Sequence, residues 1–243
     1  MSRKGALALA AVALLSAGTA ACKKQTAEEQ LMASLSDQPE LREAFVTLKR
    51  DFPDQYKQII DTAAQQQKNG GDPKTAYTLG FTQMQSFMKS QLPNMIQAPD
   101  AMQVRYVTAQ RDMLKTAQAN SVEWCGKIAT GRVDATEQPP KALIGPAAKV
   151  TQIGLELAKA GKDRPVNRAV FTPGAADAQG LLTALKAQGA SPELVQKIGS
   201  PGGLLTASPA EACDGVLKMT QAIVAMPPEQ AAKWSSFMLR SAG

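Results

Sequence analysis

The sequence predicts an all-α protein, an irregular bundle of about seven to nine helices, and three observations carry that expectation. Ala, Gln, Lys and Leu dominate, while aromatic side chains make up only 5% of the 243 residues, a composition that favours helix over strand. Apolar residues recur at spacings of three and four along most of the chain. No segment shows the alternation of a half-buried strand, and nothing repeats at a fixed period. A chain of this length can bury a sizeable core unaided, either as one domain or as two docked helical lobes.

Taken in order, the first element is a leader over residues 1–21. Arg3 and Lys4 make a basic start, Ala6 to Leu15 an apolar run, and Ser16 to Ala21 a small-residue segment that ends at Cys22. The apolar run is about half the roughly twenty residues a membrane span needs, so the segment reads as a secretory signal peptide that is removed. Thr19-Ala20-Ala21-Cys22 resembles the lipobox of bacterial lipoproteins, with Thr19 where such motifs usually carry Leu. The resemblance covers only the leader. It implies diacylation of Cys22, a membrane anchor of two or three acyl chains, and, through Lys23 in place of Asp, an outer-membrane address in a Gram-negative host. Ordinary cleavage after Ala20 or Ala21 is the alternative processing.

Residues 22–37 are polar and are expected to form a lipidated tether, turning helical near Leu31. Folded structure is expected from Pro39, opening an N-terminal lobe over 38–130. Leu41, Phe45, Leu48 and Phe52 form one apolar stripe and Tyr56, Ile59, Ile60 and Ala63 a second, with Pro53 between them. After the breaker Asn69-Gly70-Gly71-Asp72, Tyr77, Phe81, Met84 and Met88 make a third stripe that stops at Leu92-Pro93. A fourth helix starts around Pro99 and carries Met102, Tyr106, Ala109, Met113 and Ala117. A break at Asn120-Ser121 leads into the segment holding Trp124 and Cys125.

Residues 131–146 carry the Gly and Pro breakers of a connector, and 147–243 are expected to form a C-terminal lobe. Val150, Ile153 and Leu157 predict a helix ended by Gly161, and Leu181, Leu182 and Leu185 one ended by Gly189. Ser191 and Ser208 each precede a proline and read as helix caps, the second with Glu211 completing a capping box. The last helix begins at Pro228 and presents Trp234, Phe237 and Met238 on one face.

Cys125 falls on a helical face with Val122, Ile128 and Ala129, and Cys213 on one with Leu217, Thr220 and Val224. Use of Cys22 as lipid carrier leaves these two as the remaining thiols, so a disulfide between them is expected in an oxidising compartment, with two separately buried thiols as the alternative. The bridge would join the two halves of the chain.

Composition also excludes function classes. With no histidine among the 243 residues, Ser-His and Cys-His nucleophiles are impossible and the commonest metal ligand is missing. Two isolated cysteines lack the paired spacing of a zinc site, so no metal is expected. Loss of Arg3 and Lys4 with the leader takes the 27 basic residues to 25 against 21 acidic ones. That surplus is small and unclustered, unlike that of a nucleic-acid binder. No glycine-rich phosphate loop is present, and no cofactor is expected.

Ser86-Phe87-Met88-Lys89 matches the Ser-x-x-Lys pattern of penicillin-binding proteins, but its partner motifs and supporting sheet are missing. The Glu-Ser dipeptide of lytic transglycosylases does not occur. Asp100, Asp112, Glu123 and Glu156 are the carboxylates from which a hydrolytic pair would be drawn, and solvated helix faces are the plain alternative. Met84, Met88, Met102 and Met113 suit either an adaptable apolar groove or ordinary core packing. The expectation is a non-enzymatic, periplasm-facing binding protein of the envelope, an assembly factor or a toxin-immunity protein, with another envelope protein as partner. A carboxylate-dependent cell-wall hydrolase and a lipid-binding carrier are the rivals.

Overall fold

A computed structural model describes residues 26–70, 73–168 and 170–242. Among them all regular secondary structure is helical, with no strand. The helices are α1 Ala27–Ser34, α2 Pro39–Asp51, α3 Pro53–Lys68, α4 Pro73–Ser90, α5 Leu92–Ile96, α6 Asp100–Asn120, α7 Val122–Thr130, α8 Lys141–Asp163, α9 Ala175–Ala187, α10 Pro192–Gly199, α11 Gly203–Thr206, α12 Pro209–Val224 and α13 Pro228–Ala242. The all-α expectation holds, but thirteen helices replace the seven to nine expected. The surplus lies in elements such as α5 and α11, of five and four residues, which are too short to show a helical period.

The helix starts follow local chemistry. Ser121, Ser191 and Ser208 each accept a hydrogen bond from the backbone N–H three residues on, and Glu211 closes the capping box at Ser208. Thr26 and Glu29 form a further box at α1, so ordered structure starts well before Pro39. Leu31 and Leu35 are each only 1% exposed, which makes this polar-looking stretch part of the core rather than a tether.

The core is organised around α8. Twelve of its residues are buried, among them Ala147, Ala148, Gly154, Ala158 and Gly161, and small side chains let neighbouring helices approach from several sides at once. α2, α5 and α6 pack against it. The main apolar cluster joins Leu31, Leu41, Phe45 and Leu48 with Phe81, Met95, Tyr106, Leu155, Leu157 and Leu239; each fully buried Leu contributes about 1.5–3 kcal/mol. Gly161 does not end its helix as expected. It lies inside α8, where an added methyl would meet the Asn94 carbonyl oxygen; backbone contact with α5, not termination, is what this position needs. Lys141 to Pro146, expected in the connector, form the first turns of α8, with Pro146 inside the helix.

A second cluster holds Leu114, Ala117, Leu143 and Leu217 around Cys125 and Cys213. A third gathers Val107, Ile223, Ala231 and Trp234, with Phe171 and Phe237 packed on it. Between α8 and α9, residues 164–168 and 170–174 run without helix as a strap.

Candidate functional site

Cys22 and the leader lie outside the described residues, and no described helix is long and apolar enough to cross a membrane. Cys125 on α7 and Cys213 on α12 are joined through their sulfurs, with Cα atoms 5.1 Å apart and a sequence separation of 88. Both are fully buried. Of the neighbours expected on their faces, Leu217 and Thr220 are buried, but Val122 is 44% exposed: as the first residue of α7 it faces solvent rather than the bond.

The other sequence candidates are dispersed. Ser86 and Lys89 are exposed on α4, while Phe87 stacks edge-on against Phe52 and Met88 is buried. Met84, Met88 and Met113 are buried, and Met102 packs partly buried against the same core. Each of the four singled-out carboxylates meets a basic side chain: Asp100 meets Arg168 at 2.6 Å, Asp112 Arg111 at 2.7 Å, Glu123 Lys127 at 3.0 Å and Glu156 Arg105 at 3.1 Å. Among the described residues no three His, Cys, Asp or Glu side chains form a group able to hold a metal.

The most organised polar region surrounds the end of α5. This helix is too short to satisfy its last carbonyls internally, and donors from three other elements supply the bonds. Gln103 of α6, fully buried, donates to the Met95 and Ile96 carbonyls and accepts from Ser235 of α13 at 2.8 Å. Ser236 donates to the Ile96 carbonyl, the Val166 backbone N–H to that of Gln97, and Arg168 Nη2 to that of Ala98. The strap is thereby fixed to α5. It is fixed again where Arg240 of α13 donates to the Phe171 carbonyl at 3.0 Å and where the Phe171 ring meets Trp234 and Phe237 edge-on.

Strap, α5 and α13 enclose a concavity of about 270 Å³, lined by Pro93, Ile96, Asn167, Arg168, Val170, Ser236 and Arg240 among others. The Arg168 side chain is only 9% exposed. Among the described residues, the buried Nε–H groups of Arg168 and Arg240 find no acceptor, an arrangement that costs free energy unless something else supplies one. Asp100 balances Arg168; Arg240 has no acidic side chain within 4 Å among the described residues. The concavity is therefore a cationic recess with one apolar flank.

Sequence reasoning missed this recess because residues far apart build it and none belongs to a motif. Its only sequence trace is the run Asp163-Arg164-Pro165-Val166-Asn167-Arg168, arginines in a stretch with no helical pattern.

The sequence and the fold match no family model, no curated protein and no solved structure.

Proposed function

We propose that this chain is a lipoprotein anchored to the outer membrane through Cys22, facing the periplasm, whose helical body binds another envelope component, most simply a protein, without catalysing a reaction. The observation that carries the reading is the leader itself: a basic start, a short apolar run and small residues that end at a cysteine. The body supports it. α1 starts at Ala27, so only residues 23–26 separate the acyl-bearing cysteine from a helix whose Leu31 and Leu35 are in the core. Four residues span at most about 14 Å, which would hold the body close to the lipid headgroups. Asp100, Asp112, Glu123 and Glu156 each meet a different basic side chain, in the manner of ordinary surface ion pairs, which favours binding over a converging carboxylate pair.

Labelling growing cells with an alkyne analogue of palmitate, for wild type and Cys22→Ser, tests the anchor. Wild type is expected to take up label and sediment with outer membranes, and the variant to do neither. Equal release of both proteins into the soluble periplasm would overturn the anchored reading. Chemical crosslinking in intact cells, followed by mass spectrometry, tests the binding role. The expected product is one reproducible protein adduct that Cys22→Ser diminishes; peptidoglycan fragments as the sole adduct would reverse the conclusion.

A further inference from the structure

We propose that the recess between the strap, α5 and α13 is a binding site for a monocarboxylate that bears a short apolar substituent. Three observations converge. First, Arg168 and Arg240 both line the recess, and each has spare guanidinium donors, including a buried Nε–H with no acceptor among the described residues. The rigid fork of N–H groups in arginine matches the two oxygens of a carboxylate. Second, the charge suits a monoanion: Asp100 lies 2.6 Å from Arg168, and from farther off Glu229 acts on Arg168 and Lys233 on Asp100, which with Arg240 leaves about one positive charge. A phosphate monoester, with about −1.5 to −2 at neutral pH, would be undercompensated. Third, Ile96 and Val170 form an apolar flank of the recess, and Val170, 78% exposed, is open to an incoming substituent.

The volume of about 270 Å³ is at the small end for ligand pockets, which run from about 300 Å³ upward. The site thus takes an end group rather than a large molecule. Two sources present this chemistry: a free short-chain acid, or the C-terminal carboxylate of a peptide that ends in a small apolar residue. The assignment deepens the binding reading above but does not depend on the anchor, so its failure would leave lipidation of Cys22 untouched.

The test is a titration of the full chain in detergent micelles, with the arginine Nε–H signals followed by ¹⁵N-edited NMR. The probes are isovalerate, N-acetyl-alanyl-valine, N-acetyl-alanyl-valinamide and inorganic phosphate. Both carboxylates are expected to shift the Arg168 and Arg240 signals, with the amide about ten- to hundredfold weaker, as loss of charge-assisted hydrogen bonds implies. Tenfold tighter binding of the peptide than of isovalerate would identify a chain terminus as the source; equal binding would identify a free acid. Arg240→Gln is expected to weaken both by a similar ten- to hundredfold factor. Since Arg240 also holds Phe171, Val170→Glu is the second variant: it alters an exposed side chain, should keep the native melting temperature, and places a repelling carboxylate at the recess. Unshifted arginine signals, an amide or phosphate that binds as well as the acid, or unchanged affinity in Val170→Glu would each overturn the proposal.

Discussion

A methyl group added to Gly161 would come within 1.8 Å of the Asn94 carbonyl oxygen, so α8 and α5 meet backbone to backbone at this point. Gly161→Ala must push the two helices apart and is expected to cost about 3 kcal/mol in urea unfolding. Gly180 on α9 has nothing within 4 Å of the same added atom, and Gly180→Ala should stabilise by about 0.5–1 kcal/mol through helix propensity. Equal effects of the two changes would show that the α5 to α8 contact is looser than described.

The Cys125 to Cys213 bond closes a loop of 88 residues. Replacing both by Ala should lower stability by about 4 kcal/mol on the chain-entropy account. Because both sulfurs are buried, reductant without denaturant should expose no thiol to Ellman's reagent. Rapid reduction in the folded state would contradict that burial.

Tyr106 is fully buried, and its hydroxyl has no hydrogen-bond partner among the described residues. Tyr106→Phe should therefore stabilise by about 1 kcal/mol, measured by thermal unfolding. Burial also holds the Tyr106 phenol neutral far above its usual range. The unfolded phenol ionises near pH 10, so the stability tied to its neutral form is complete below that pH. Above it, stability should fall by about 1.4 kcal/mol per pH unit, and this alkaline slope should be smaller in Tyr106→Phe.

Glu211 has its carboxyl held down to about 2, first by the hydrogen bond from Lys197 and then by the Ser208 backbone and hydroxyl. A depressed folded value means that its contribution is present above the unfolded value of about 4.3 and is lost as pH falls toward 2. Glu211→Gln should lower the melting temperature at pH 7, with the difference from wild type shrinking between about pH 4.3 and pH 2. A pH-independent difference would assign the effect to packing instead.

Much of the helical plan was legible because it rests on local rules. Ser121, Ser191 and Ser208 announce helix starts by their own side-chain chemistry, and the stripe Leu41, Phe45, Leu48 reports a buried face directly. Where tertiary contact overrides local pattern, the reading failed. Gly161 looks like a stop signal until Asn94 is seen beside it. Leu31 and Leu35 are surrounded by polar residues and look like part of a linker, yet both are in the main core. Gln103 belongs to none of the apolar stripes, yet it is fully buried, because the end of α5 needs donors. The recess was not legible at all: Arg168 and Arg240 are on different elements, and only the path of the strap brings them together.

If the leader exports the chain as proposed, the bond between α7 and α12 also imposes an order on biogenesis. In a chain exported N-terminus first, Cys125 reaches the oxidising side while Cys213, 88 residues behind, is still to cross. By then α1 to α6 have emerged and α8 follows soon after, so all of the large apolar cluster except Leu239 of α13 would be across while Cys125 is still a thiol. Cys125 has to stay reachable by an oxidase through that interval, although its final site admits no solvent. The smaller cluster around Leu114, Leu143 and Leu217 would therefore close only once α12 arrives, with α13, which supplies Leu239 and Trp234 to the other two clusters, still to dock.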